Sequence, residues 1–222
     1  TKIIPGILRT VLVGAGTMIL TYIAGVVVLG PLGDLVGGIV VKFFLWASAT
    51  FGPVAIALLA SAMPWLVMTG MHHAVTPFMV QAFADPGYDV FFRPSYILHN
   101  MAEGGACLGV ALRTKNPEFR AECLSLAFGC IVAGVTEPAL SGVNSPRRRP
   151  MLGIMAGTAV GGIIAGVLGA TAYVYGYSTI LALPIFQQTM WAMAIAIVAA
   201  IVVSALVTAA LGFEDRPVKA QK

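Results

Sequence analysis

The chain has 222 residues, 59% of them hydrophobic, with 13 Lys/Arg and 9 Asp/Glu. A water-soluble chain carries roughly 25% charged residues; this one carries 10%, and its mean hydropathy is +0.92. A soluble enzyme, a nucleic-acid binder and a disordered chain are excluded. No charged residue occurs between Arg9 and Asp34, between Lys42 and Asp85, or between Arg149 and Glu214, and the last stretch is 64 residues long. At about 20 residues per crossing, such a stretch crosses a bilayer more than once. The net charge of +4 comes from clustered basic residues: Arg113, Lys115 and Arg120; Arg147 to Arg149; and Arg216, Lys219 and Lys222. That clustering is the positive-inside signature of a polytopic membrane protein.

In chain order, residues 7–29 form the first apolar run and end at Gly30-Pro31. Residues 34–50 mix Asp34, Lys42 and Trp46 with apolar neighbours, as a surface-lying or tilted helix does. A second span covers residues 51–67, with Pro53 and Pro64, and runs into Gly70-Met71-His72-His73 and Pro77, where a distorted helix is expected. A polar loop, residues 85–94, carries Asp85, Asp89 and Arg93. Residues 95–112 and 121–146 are short and polar for ordinary spans, and the second leaves one basic cluster and returns to another. That pattern predicts re-entrant hairpins, whose irregular backbone is tolerated at membrane depth only inside protein or along a cavity. Residues 150–173 form a span with small residues at Gly153, Gly157, Gly161, Ala165 and Gly169, a face for close helix approach. An uncharged turn, residues 174–185, leads to a last span over 186–211. The Arg147 triplet and the basic tail then share one side, the cytoplasmic one by the positive-inside rule.

An ionisable residue in a membrane segment costs at least about 2.5–3.5 kcal/mol, so it needs a partner or a task. Glu137 lies in Gly134-Val135-Thr136-Glu137-Pro138-Ala139, where glycine and proline break a helix. A broken tip can point that carboxylate into a cavity, where it accepts two hydroxyl hydrogen bonds; the plainer alternative is a helix-capping glutamate near water. His72 and His73 are either cavity-facing donors and acceptors or an interfacial pair bonded to backbone. His99 and Glu103, at i and i+4, share a helix face and form either an interhelical contact or a further wall of the pocket. No metal site is expected, since adjacent histidines point about 100° apart on a helix and no matching Cys or His cluster exists. Cys107, Cys123 and Cys130, with no CxxC spacing, read as buried inert thiols. No phosphate-binding GxxxxGK[ST] loop and no signal peptide occur, and a chain starting at Thr1 reads as the end of something longer.

Gly134 to Ala139 resembles the GITEPA signature of the membrane-embedded IIC component of the bacterial sugar phosphotransferase system, glucose superfamily. Gly70-Met71-His72-His73 resembles the family's G-[VL]-H-[HW] motif. Gly87-Tyr88-Asp89, Gly105 to Val110 with Arg113-Thr114-Lys115, and Leu211 to Asp215 match the β-glucoside-type branch. The resemblance implies an all-α polytopic membrane protein with transmembrane helices and two re-entrant hairpins, the sugar-binding half of a IIC domain. Residues 1–215 would be its C-terminal half to two-thirds and 216–222 a cytoplasmic tail. It implies substrate binding by Glu137, His72, Thr136, Glu103 and His73, with Glu137 or His72 orienting or deprotonating the accepting hydroxyl. It further implies inner-membrane location, no cofactor, and sugar transport coupled to phosphorylation from a IIB phosphocysteine recharged through IIA and HPr. The phosphoryl-carrying residues lie on those other domains, and a homodimer forms through N-terminal helices missing here. Two departures stand out: Glu103 replaces a usual Gln, and Leu140-Ser141 replaces an Ile-Tyr pair. The alternative is an ion-coupled secondary sugar transporter, with Glu137, Glu103 and the histidines as a relay.

Overall fold

The computed structural model describes residues 6–84 and 86–216. Asp85 and the basic tail positions Lys219 and Lys222 lie outside them. Described residues form helices almost throughout, and the chain divides into two compact units, 1–43 and 44–222.

In the first unit, α1 (Gly6–Ala24) runs through a π-helical turn (Gly25–Leu29) into α2 (Gly30–Phe51), a helix that continues past residue 43 into the second unit. Gly30-Pro31 therefore does not end the first run. Pro31 has no N–H to offer the preceding turn; the wider turn absorbs that loss, with the Gly30 amide bonding back to the Gly25 carbonyl. A stretch long and apolar enough to span, Leu12–Leu32, crosses this point.

The second unit is built on α3 (Val54–Met68), α5 (Phe92–Arg113), α8 (Arg149–Val167) and α9 (Met190–Leu211). Alpha-carbon-to-backbone approach sets their packing. A methyl group added at Gly157 would lie 2.5 Å from the Ala200 carbonyl oxygen, and one at Gly161 2.9 Å from that of Ala196. These contacts descend α9 as they climb α8, so the two helices are antiparallel. Gly105 and Gly109 stand equally close to the carbonyls of Ile201 and Ala205, and here both numbers rise, so α5 runs parallel to α9. The other side of α8 is just as bare: Gly162 meets the Ala57 backbone and Gly166 meets Pro53 in α3. Small residues let helices approach where no hydrophobic driving force exists between apolar surfaces in lipid. Gly169 is not part of the glycine face; at φ +70°, with nothing near it, it ends α8, and the Ala170 amide bonds back to the Ala165 carbonyl at 2.8 Å.

Residues 95–112 are not a short polar segment but the interior of α5, 22 unbroken residues or about 33 Å of helix. Its polar groups are compatible with that because nearly the whole helix is buried in protein. The Gly104-Gly105 pair serves packing and does not break it: a methyl at Gly105 would lie 2.5 Å from the Ile201 carbonyl. On α9 the polarity is sorted by face. Ser204 and Thr208 are buried, the first donating to the Ala102 carbonyl at 2.6 Å. Trp191, Ile195, Val198, Val202 and Leu206 are exposed at three- and four-residue steps, an apolar stripe suited to lipid.

Two helices are broken. Between α3 and α4 (His72–Ala84) the chain turns at Thr69–Met71, with Gly70 at φ +74°. Between α6 (Pro117–Phe128, extended by a π-turn over Gly129–Ala133) and α7 (Glu137–Ala139, extended over Leu140–Asn144) it turns at Gly134, φ +76°. The second break forms a hairpin. Its arms, through Phe119, Cys123, Cys130, Ala139 and Val143, share a core with Cys107 of α5, and at its base the Arg147 guanidinium lies 4.2 Å from the centre of the Phe119 ring. Residues 121–146, expected as a re-entrant hairpin, contain the helix break at Gly134, whereas 95–112 is unbroken and the other broken helix is 54–84. All three cysteines are free and buried.

The ends of the second unit are chemically distinct. Arg149 donates to the Leu211 carbonyl at 2.8 Å and Arg113 to that of Ala209, which closes the C-terminus of α9. At the far end, Asp89 and Ala172 exchange two backbone hydrogen bonds of 2.8 Å.

Candidate functional site

Both broken helices aim their tips at one cavity of about 610 Å³. His72 and His73 enter it from the start of α4, Thr136 and Glu137 from the hairpin tip, and His99 and Asn100 from α5. The segment 175–178, which precedes a 3-10 turn at Ile180–Thr189, supplies a further wall, with Met63 and Val67 of α3 also lining the cavity.

Each tip is fixed by a defined contact. Tyr96 donates its hydroxyl to the His72 carbonyl at 2.5 Å, which ties α4 to α5. The Asn100 amide donates to the Ser178 carbonyl at 2.8 Å and to the Gly134 carbonyl at 3.4 Å, so one side chain holds both the hairpin tip and the facing segment. Gly134 admits no larger residue, since an added methyl would lie 2.7 Å from Thr179 Cγ2. Glu137 opens α7 and is exposed towards the cavity, while Thr136 beside it is buried. The His72 and His73 rings, at the start of α4, are 4.0 Å apart at 38° rather than splayed.

Glu103 stands elsewhere. It is fully buried one turn beyond His99 on α5 and is not among the residues lining the cavity; its Oε2 lies 3.4 Å from His99 Nε2. The Asn144 side chain donates to the Glu103 backbone carbonyl at 3.5 Å, joining this layer to the far arm of the hairpin. Of the five predicted binding residues, four therefore meet at the cavity, and Glu103 lies behind them.

Among the lining residues that the sequence did not assign to the site are Arg93, Tyr96, Tyr175 and Ser178. Arg93 was read as a loop charge, yet it is 3% exposed in the first turn of α5. Asp89 creates that turn: its carboxylate accepts from the amides of Phe91 at 2.8 Å, Phe92 at 2.9 Å and Arg93 at 2.5 Å. A helix start was visible in the sequence as an Asp placed just before it. The series Arg93, Tyr96, Asn100, at i, i+3 and i+7, would have marked a polar helix face.

Three spans among the described residues, Leu12–Leu32, Arg149–Val167 and Ile180–Leu211, are long and apolar enough to cross a membrane. With them, the chamber between broken helices defines an all-α polytopic membrane protein. The family model "Phosphotransferase system, EIIC" matches residues 2–157, and the chain belongs to that family, whose members reside in the bacterial inner membrane. It is 32% identical over 200 residues to the arbutin-, cellobiose-, and salicin-specific EIIBC component of Escherichia coli K12, a match covering 87% of this chain and 41% of that protein. It is 34% identical to the β-glucoside-specific EIIBCA component of Bacillus subtilis 168, over 84% of this chain and 31% of the relative. The trehalose-specific EIIBC component of E. coli K12 is 29% identical over 93% and 44%. The chain spans less than half the length of these relatives. No solved structure matches it.

Proposed function

We propose that this chain is the substrate-binding membrane portion of a phosphotransferase-system sugar permease, with residues 1–215 in the membrane domain and 216–222 a cytoplasmic tail. The observation carrying this reading is the convergence of His72 and the Thr136-Glu137 tip on a cavity of about 610 Å³, within the usual size range of small-molecule sites. The relatives' names point to β-glucosides as the substrate class, with trehalose and sucrose as neighbouring specificities. Glu137, an acceptor-only group when ionised, takes hydrogen bonds from sugar hydroxyls, and His72 supplies a donor or acceptor beside it. One of the two orients or deprotonates the hydroxyl that receives the phosphoryl group. Thr136 and His73 shape the floor of the same site, and Glu103, behind it, supports His99. In this reading the broken helices are re-entrant, and the donor is a phosphocysteine on a IIB domain, recharged through IIA and HPr. In-line positioning of the accepting oxygen is what such a site must achieve. A homodimer of the permease completes the assembly.

The test is uptake and phosphorylation of a glucoside panel by membranes containing the intact protein, supplied with phosphoenolpyruvate and the soluble phosphotransferase proteins. Phosphosugar formed only with phosphoenolpyruvate, and lost in Glu137→Gln, supports the reading. Unmodified sugar accumulating until a protonophore is added would instead establish an ion-coupled transporter.

A further inference from the structure

Arg93 is a buried cation whose donors are only partly spent on the protein. Of the five N–H groups of a guanidinium, one goes to the Ser178 hydroxyl. The Tyr175 side chain accepts from the same fork, another N–H meets only the weak acceptor Met79 Sδ, at 3.6 Å, and Nε has no partner. No described carboxylate forms an ion pair with it; Asp89, four residues earlier, spends its oxygens on the backbone amides that start α5. The Tyr175 ring, with its centre 5.3 Å from the guanidinium carbon, and the Tyr96 ring, at 5.8 Å, hold the fork in place. Burying a charge is tolerated when it is paired or hydrogen-bonded, and the space this fork borders is the 610 Å³ cavity.

We propose that Arg93 is a specificity-determining residue of the substrate site, donating to the ring or glycosidic oxygen of a bound glycoside. The inference rests on the sugar-permease reading above and adds to it a division of labour. Sugar hydroxyls both donate and accept, so the acceptor-only carboxylate of Glu137 can read any of them. Ring and glycosidic oxygens only accept, and a group that reads them must be a donor. A planar, permanently charged fork is such a group. Tyr175 and Ser178 act through it as positioning residues, fixing the fork rather than touching the reacting atoms.

The test is equilibrium binding of phenyl β-D-glucoside to the intact purified protein, beside its carbon-linked isostere and its ring-carba isostere, in which the ring oxygen is a methylene. The wild type is expected to prefer the parent glucoside over at least one isostere by about tenfold, the value of a hydrogen bond to a charged group. Arg93→Met is expected to bring that preference within about twofold. Because the readout is a ratio between ligands on one preparation, it does not depend on how much of the variant folds. Should Arg93→Met yield no folded protein, Tyr175→Ala, on an exposed wall residue, is expected to reduce the same ratio about threefold. A ratio unchanged in the variants, or a wild type that binds all three ligands alike, overturns the assignment and leaves the permease reading standing. A wild type that binds none of them overturns it together with the β-glucoside substrate class. The permease reading itself is decided separately by phosphoenolpyruvate-dependent phosphorylation in the uptake panel.

Discussion

The two broken helices use the same backbone device and pack it in opposite ways. Gly70 and Gly134 both adopt left-handed conformations, at φ +74° and +76°. Around Gly70 an added methyl would find open space, whereas around Gly134 it would strike Thr179 at 2.7 Å and the Ser178 carbonyl at 3.3 Å. The first tip is held by the Tyr96 hydroxyl on the His72 carbonyl and by a hydrogen bond between the His72 side chain and the Leu66 backbone. The second is wedged against the 175–179 segment and held by Asn100. A chamber built this way has one firmly set wall and one that is lightly held.

The contrast yields ordered expectations. Glu137→Gln on the firm tip should reduce phosphosugar formation at least a hundredfold, the usual scale for losing a positioned acid–base group, while His72→Gln on the loose tip should cost about tenfold. Equal losses in the phosphorylation assay would erase the distinction. Next, Gly134→Ala should destabilise the protein by about 3 kcal/mol, combining left-handed strain with overpacking. Gly70→Ala should cost about 1 kcal/mol from strain alone. Thermal unfolding of the purified protein in detergent compares the two, and similar midpoints would break the contrast. Tyr96→Phe removes the hydroxyl that ties the first tip to α5 and should cost about 1 kcal/mol, with a several-fold rise in KM and little change in kcat.

The smallest effect lies at the base of the hairpin. Asp215 accepts from the Thr114 hydroxyl at 2.6 Å and from the amides of Lys115 and Arg216, each at 2.9 Å. Its slight burial favours the protonated form, but those three donors together outweigh it and hold the carboxyl below its ordinary value. A lowered carboxyl stabilises the fold fully above the unfolded value, near pH 4, and loses that contribution as the pH falls through the lowered one. Hydrogen exchange of the 114–120 amides should show this acid-side loss in the wild type and not in Asp215→Asn.

How far the sequence discloses the molecule depends on which surroundings its residues meet. The hairpin tip is legible because glycine, proline and an unpaired carboxylate coincide there, and each is costly in a membrane helix. Helix α5 is not, because hydropathy measures fitness for lipid and α5 meets almost none; His99 and Asn100 face the protein's own cavity and Glu103 is buried behind them. Arg93 is hidden for the same reason, a charge beside prolines that reads as a loop until the Asp89 cap winds it into a helix. The 175–178 wall carries no charge and no periodicity, so only the fold brings it to the cavity. Gly169 shows the converse error, a four-residue spacing that continued past the end of its helix.

Arg113 and Arg149 acquire a second meaning from where their side chains end. During insertion, positive charges are counted to decide which ends of the helices stay in the cytoplasm. In the finished protein the same two guanidiniums reach the carbonyls of Ala209 and Leu211 and terminate α9. A lysine in either place would be counted just as well on the way into the membrane, but as a flexible point donor it would close the helix end less firmly than a planar fork does. Assembly history and final architecture thus place different demands on one pair of residues, and only the second demand distinguishes arginine from lysine.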